Sequence, residues 1–237
     1  TGQALSLASR ELRVLGTDTA AARATSKDWA TELARQVAVP NTSRSTIGGS
    51  LLPPLQDRGD LFGGHTTHLS TADENGMFVS LTQTLGPTMG SKVVTPGLGF
   101  LYASTLGGYL GRMEPGERAR SNICPFMVLK DGEVILVLGA AGGGMIPPAV
   151  VHAITRVIDF GMSLPQALAE PRVAGARGGG YSAETSPGIG WTLAELEEMR
   201  GLGIEVTETP RSGAFGRVHG IQFEPATRTW IGAADPD

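Results

Sequence analysis

Cysteine is almost absent from the 237 residues: the one copy, Cys124, cannot form an internal disulfide. Histidine is scarce too, and the four copies are scattered without metal-ligand spacing. No metal and no cofactor are therefore expected. There is no excess of basic charge, with 19 Lys+Arg against 23 Asp+Glu and no basic cluster, which argues against a nucleic-acid partner. No apolar run approaches the roughly 18 residues a membrane span requires, so no spanning segment is expected. What is present is 41% hydrophobic residues, enough for one packed domain, and a small-molecule partner fits the charge balance best.

Apolar residues recur at helical spacing over residues 3–15 (Leu5, Leu7, Ala8, Leu12, Leu15), with Gly16 as a stop. A second helix is predicted over residues 26–37, capped by Thr25, with Asp28 three residues on and Trp29, Leu33 and Val37 along one face. Residues 40–65 then turn to Pro, Gly, Ser, Thr and Asn without periodicity. A structureless connection of that length is unusual inside a compact domain, and it reads either as a cleavable tail or as a surface insertion.

At its end stands Thr66-Thr67-His68-Leu69-Ser70, opening a strand. Asp73-Glu74-Asn75-Gly76 is turn chemistry between two strand-like runs. A three-residue loop with Gly76 left-handed sets Asp73 against Met77 and Thr84 opposite Thr66. Alternation then gives Thr66, His68, Ser70, Ser80, Thr82 and Thr84 one face, and Leu69, Met77, Val79 and Leu81 the other, which is expected to pack. The hydroxyl face is either chemical or simply threonine in a solvated strand. Its chemical reading has a specific basis. A threonine hydroxyl needs a base, and a free α-amino group with a pKa of about 7.7 to 8.0 on the same residue supplies one. Chain cleavage before Thr66 would expose that amine. Thr1 is a rival N-terminal nucleophile, but the residues after it read as helix where a strand is needed.

Downstream, residues 86–99 are rich in Gly and Pro and form a loop wall, with Val93-Val94 only a short strand. A second hairpin turns at Asp131-Gly132 between residues 126–130 and 133–138. Gly139-Ala140-Ala141-Gly142-Gly143-Gly144 leads into a helix marked by Pro147-Pro148, with Val150, Val151, Ile154, Val157 and Ile158 along it and a stop at Gly161. Strand, glycine loop and helix start suit an oxyanion site or close helix–sheet packing. Nucleotide-loop spacing is missing. Ser163 caps a short helix to Ala169, residues 172–190 are a glycine-rich excursion, and Thr192 with Glu195 boxes a helix to Gly201. Strands follow at 204–206, 218–223 and 229–233. Arg172, Arg211 and His219 are expected to be surface or structural residues. Pattern alone supports an α+β class.

Thr66-Thr67-His68-Leu69-Ser70, Ser80-Leu81-Thr82-Gln83-Thr84-Leu85, Gly90-Ser91-Lys92-Val93-Val94, Val128-Leu129-Lys130-Asp131-Gly132, Leu138-Gly139-Ala140-Ala141-Gly142-Gly143 and Ile158-Asp159-Phe160-Gly161-Met162-Ser163-Leu164 resemble, in order and spacing, the catalytic part of a γ-glutamyltransferase (γ-glutamyltranspeptidase). The resemblance implies an αββα four-layer sandwich of the N-terminal-nucleophile hydrolase type. It implies residues 1–39 as the helical tail of a large-subunit portion, 40–65 as the linker before the cleavage point, and 66–237 as the catalytic small-subunit portion. Thr66 is then the nucleophile, Thr84 its supporting hydroxyl, and Gly142 and Gly143 the oxyanion-hole pair. The partners implied are a small-molecule amide and the large-subunit portion of the same precursor. No leader segment is visible, and the resemblance favours a periplasmic or secreted setting.

The resemblance also has departures. The paired serines that hold the substrate carboxylate in the family fall on Ser121 and Asn122. The segment that holds a glutamyl α-amino group falls on Ala103-Ser104-Thr105-Leu106-Gly107-Gly108, with every acidic or amide group gone. The asparagine after the Thr-x-Thr-Leu stretch is Gly86. The expected function is an autoprocessed amide hydrolase or acyltransferase acting on an acyl group without that ammonium. The alternatives are a true glutathione or γ-glutamyl hydrolase and a catalytically silent relative acting as a binding module.

Overall fold

The computed structural model describes residues 26–37, 66–105, 114–116, 121–176, 179–185, 188, 190–211 and 215–236. The helix expected at 3–15, the connection at 40–65 and residues 106–108 lie outside them. Helix α1, Lys27–Val37, starts where expected. Its capping hydroxyl is that of Ser26, one residue beyond the expected Thr25, accepting from Trp29 N at 3.2 Å.

The first hairpin pairs β1 (Thr66–Ala72) with β2 (Phe78–Thr84). Its register follows from its turn. Asp73 N donates to the Met77 carbonyl at 3.1 Å, the Asp73 carboxylate accepts from Asn75 N and Met77 N, and Gly76 takes φ 84. This three-residue loop sets Thr66 opposite Thr84 and His68 opposite Thr82, as the turn residues predict.

The second hairpin, β3 (Phe126–Lys130) and β4 (Glu133–Ala141), turns at Asp131 and Gly132, both at positive φ. Strand β4 runs three residues past the expected end at Leu138. After a short 3-10 turn at Gly143–Met145 come α2 (Ile146–Ile158), α3 (Leu164–Ala169), β5 (Val173–Gly175), β6 (Tyr181–Glu184), α4 (Leu193–Gly201), β7 (Val206–Thr209), β8 (Arg217–Glu224) and β9 (Thr229–Ala234). The four-stranded sheet has the order β3-β4-β8-β9.

Alternation along β4 places the two faces of this sheet. Leu136, Leu138 and Ala140 pack with Ile146, Ala149, Val150, Ala153, Leu164 and Leu168 of the helices in one buried cluster. On the opposite face Gly139 lies against the imidazole of His68: a Cβ there would come within 2.4 Å of the ring. Helices, four-stranded sheet and hairpin are thus stacked in three layers, and the class is α+β. The buried positions of α2 are Ile146, Ala149, Val150, Ala153 and Val157, while Ile158 at its end is exposed.

Two expectations are corrected. The hairpin face bearing Thr66, His68, Ser70, Ser80, Thr82 and Thr84 is the one that packs, with His68 and Thr82 buried. Leu69, Met77, Val79 and Leu81 are exposed. Polar groups can be buried there because they are hydrogen-bonded, within the hairpin for Thr66, His68, Ser70, Thr82 and Thr84, and across the interface for Ser80, whose Oγ donates to the Leu138 carbonyl and accepts from Phe126 N. The glycine-rich excursion after Arg172 also contains two strands. β5 and β6 are antiparallel and β6 pairs in parallel with β7. Their three- and four-residue lengths are too short to show periodicity.

Candidate active site

The hairpin register brings Thr66 and Thr84 together. Thr66 Oγ1 donates to Thr84 Oγ1 at 2.8 Å, and Thr84 Oγ1 also accepts from Gly86 N at 3.0 Å. A backbone donor thus fixes the acceptor that aims the Thr66 hydroxyl. Gly86 itself, where the resemblance expects asparagine, is at φ 82, and a Cβ on it would lie 2.7 Å from the Ser104 carbonyl oxygen. Close approach of the next segment explains the glycine. Ser104 N donates to the Leu85 carbonyl at 2.8 Å, so Ala103, Ser104 and Thr105 run beside the residues that follow Thr84.

Two residues into β1, His68 bridges the buried face. Its Nδ1 is 2.7 Å from Thr82 Oγ1 and its Nε2 2.9 Å from Ser70 Oγ. Burial, with the nearby His219 adding to it, lowers the His68 pKa to about 4. The imidazole is therefore neutral at pH 7, with one nitrogen donating and the other accepting. His219 Nδ1 lies 3.4 Å from the His68 carbonyl, which places His219 as a structural neighbour of β1.

Strand β4 passes Ser80 at Leu138 and His68 at Gly139, so it advances toward the Thr66 end of the hairpin. The loop at Gly142 follows at once. Gly142 takes φ 134 and Gly143 φ 56, conformations favouring glycine. A Cβ on Gly142 would fall 2.7 Å from Gly216 Cα. The loop opens α2 through the 3-10 turn, and its backbone is closely packed, as one of the two earlier readings expects.

Ser121 and Asn122 are exposed on the segment entering β3. Ser121 Oγ accepts from Ile123 N at 3.1 Å, a bond that uses a lone pair of the oxygen and not its proton.

Sequence reasoning underestimated one cluster. Arg172 is buried and takes the structural of its two expected roles. Its guanidinium is paired with Asp235 and donates to the Gly216 carbonyl at 3.0 Å. Arg211 Nε is 3.0 Å from Glu184, and Glu184 in turn accepts from Arg172 N. Burial pushes the Glu184 carboxyl up, while the Arg172 N–H, Arg211 and the Arg172 charge pull it down. The partners come from four distant segments, so no local spacing could have shown the cluster. Among the described residues no group of three or more metal-ligating side chains occurs, and no helix is long and apolar enough to cross a membrane.

Residues 5–237 match the family described as gamma-glutamyltranspeptidase. The chain is 35% identical over 175 residues to the Acylase ACY 1 proenzyme of Pseudomonas sp. (strain V22), covering 71% of this chain and 30% of that protein. It is 29% identical over 178 residues to the glutathione hydrolase proenzyme of Bacillus subtilis (strain 168), covering 73% and 29% respectively. The chain thus spans about 30% of the length of these relatives. Among solved structures, a mutant of Helicobacter pylori gamma-glutamyltranspeptidase superposes with a TM-score of 0.61 at 28% identity, covering 72% of this chain and 98% of that one. Cephalosporin acylase from Bacillus halodurans gives 0.61 at 28% identity over 71% of this chain and 32% of that one. With a match across almost its whole length, and with the α+β fold of N-terminal-nucleophile hydrolases, this chain belongs to the gamma-glutamyltranspeptidase family.

Proposed function

We propose that the chain is the catalytic part of an autoprocessed N-terminal-threonine amide hydrolase or acyltransferase whose acyl donor lacks the α-amino group of a glutamyl substrate. The observation that carries this reading is the Thr66–Thr84 hydroxyl pair, with the neutral segment Ala103-Ser104-Thr105 hydrogen-bonded beside it.

In self-cleavage, Thr66 Oγ1 attacks the His65 carbonyl carbon, the peptide nitrogen leaves as an amine, and water hydrolyses the resulting ester. The freed α-amino group is then the base. As Thr66 Oγ1 attacks the substrate amide, its proton passes to that amine, and negative charge develops on the carbonyl oxygen. The backbone N–H groups of Gly142 and Gly143 stabilise it. The proton goes on to the leaving amine as the C–N bond breaks. Water or an amine then releases the acyl group from Thr66, which separates hydrolysis from transfer. Before attack Thr84 fixes the position of Thr66 Oγ1 through the hydrogen bond between the two hydroxyls.

Specificity follows from charge. A glutamyl ammonium set against Ala103, Ser104 and Thr105 would lose hydration without a carboxylate partner. One unpaired polar burial costs about 1 to 3 kcal/mol, or roughly five- to 150-fold in affinity. Ser121 and Asn122 remain as donors for a terminal carboxylate, so a dicarboxylic acid monoamide is the substrate class. Two Pseudomonas relatives named acylase proenzymes support this direction, and relatives named glutathione hydrolase supply the competing one. The exposed Leu69, Met77, Val79 and Leu81 suit the large-subunit portion of the same precursor, which would lie across the hairpin as the remaining layers.

The test is kcat/KM for a glutaryl anilide against the matching γ-glutamyl anilide, which differ by the amino group alone. The glutaryl compound is expected to be preferred by at least about five-fold. A strong preference for the glutamyl compound transfers the reading to γ-glutamyl hydrolysis.

A further inference from the structure

Strands β4 and β8 pair through Ala140–Val218 and Ala141–Arg217. Where the pairing ends, Gly142 and Gly216 stand backbone to backbone. A Cβ on Gly142 would lie 2.7 Å from Gly216 Cα. Gly216 is itself wedged in place, at φ 75. A Cβ there would meet the Met145 carbonyl at 3.0 Å, Ala149 Cβ at 3.1 Å and the Ala141 carbonyl at 3.3 Å. It therefore touches the strand before the glycine loop, the turn after it and the first turns of α2. A Cβ on Gly142 has no room, and one on Gly216 fits only if its neighbours give way at a positive φ, so the two backbones are packed against each other.

The peptide at Gly216 is also held from behind. Arg172 donates to its carbonyl at 3.0 Å, and the Arg172 guanidinium is paired with Asp235, both side chains being almost fully buried. The same carboxylate accepts from Val218 N at 2.5 Å, and Asp235 N donates to the Val218 carbonyl at 2.9 Å. One buried ion pair thus fixes the chain at the Gly216 carbonyl and two residues after it, at Val218. Phe215, 2% exposed, anchors the residue before it.

We propose that Gly216, held by the Arg172–Asp235 pair, is the positioning residue of the oxyanion loop: it is the seat against which Gly142 keeps its φ of 134 and the loop's N–H groups keep their aim. The inference rests on the reading of Gly142 and Gly143 as oxyanion donors. Gly216 touches no reacting atom. It acts through Gly142, so its loss weakens the tetrahedral state more than the bound substrate.

The experiment uses the complete precursor and its cleaved product, with Gly216→Ala compared with the parent. Two ligands are titrated. One is 4-boronobutanoate, or its 2-amino form if the enzyme prefers glutamyl donors, whose boron accepts Thr66 Oγ1 and becomes a tetrahedral anion. The other is the carboxylic acid product, which needs no oxyanion site. Gly216→Ala is expected to lower kcat by about 10- to 100-fold and weaken the boronate by a similar factor, leaving KM and product affinity within about two-fold. Self-cleavage slows with it. Gly142→Ala separates the two levels of the argument. Unchanged boronate affinity in Gly142→Ala overturns the oxyanion reading. Weakened affinity in Gly142→Ala with parental affinity in Gly216→Ala overturns the seat alone. Should Gly216→Ala not accumulate as folded protein, Gly216→Ala/Ala149→Gly removes the methyl 3.1 Å from the new Cβ and carries the same comparison.

Discussion

Two hydroxyls 2.8 Å apart do different work, and their substitutions separate the roles. In the mechanism proposed above Thr66 supplies the attacking oxygen in both self-cleavage and turnover, so Thr66→Ala is expected to leave an intact precursor with no measurable turnover. Thr84 only aims the Thr66 hydroxyl, while Gly86 N holds Thr84 Oγ1 in place. Thr84→Ala should therefore slow turnover about 10²-fold, within the range of a positioned proton partner, while still permitting cleavage. Intact mass and N-terminal sequencing read the cut, and steady-state rates read the turnover. Full activity with Thr1 as the sole N-terminus would remove Thr66 from the mechanism. The pair was legible in the sequence because the turn residues Asp73 to Gly76 set the register, and register alone decides which threonine faces Thr66. The direction of that face was not legible. Threonine and histidine are equally at home in a solvated strand, and only the glycine at Gly139 shows that the His68 ring fills the gap between sheets.

At the scale of elements, the interface between hairpin and four-stranded sheet carries polar groups where an apolar layer was expected, and this makes it sensitive to acid. His68 lies on that interface and His152 on α2. Both pKa values are lowered to about 4, by burial first, with His219 adding at His68 and Arg156 and Arg172 among the charges adding at His152. In the unfolded chain each titrates near 6.5. Between about pH 6.5 and 4 the unfolded state binds more protons, so stability is full above about 6.5 and falls as the pH drops toward 4. His68→Gln keeps hydrogen bonding to Thr82 or Ser70 without the titration. Its urea midpoint should change less than the parent's between pH 7 and pH 4.5, and equal changes in the two proteins would place the acid sensitivity elsewhere. The same scale marks the limit of sequence reading. Hairpins, the helix after Pro147-Pro148 and the Thr192–Glu195 box are local devices and were readable. The parallel pairing of β6 with β7 and the convergence of Arg172, Arg211, Glu184 and Asp235 depend on contacts between distant segments.

At the scale of the molecule, one exposed apolar surface bears on how the proposed enzyme is assembled. The outer face of the β1–β2 hairpin presents Leu69, Met77, Val79 and Leu81, between 39% and 67% exposed, directly behind the Thr66–Thr84 pair. A two-stranded ribbon with an uncovered apolar face is marginal in water, and the sandwich implied by the family has further layers on that side. The chain spans about 30% of relatives named as proenzymes, and in the proposed reading the large-subunit portion of the same precursor supplies those layers. If it covers the hairpin, Leu81 is a core residue of the complete enzyme although it is 44% exposed here. Burial of such a side chain contributes about 1.5 to 3 kcal/mol, and a carboxylate in its place would add the cost of an unpaired charge. In the complete precursor Leu81→Asp should therefore prevent the two portions from staying together, read as loss of co-elution after cleavage or of soluble precursor before it. Thr227→Asp, at an exposed position of the turn between β8 and β9, is the control and should change stability by no more than about 0.5 kcal/mol. If Leu81→Asp elutes, cleaves and turns over like that control, the outer face is solvent-exposed in the complete enzyme and the large-subunit portion packs elsewhere.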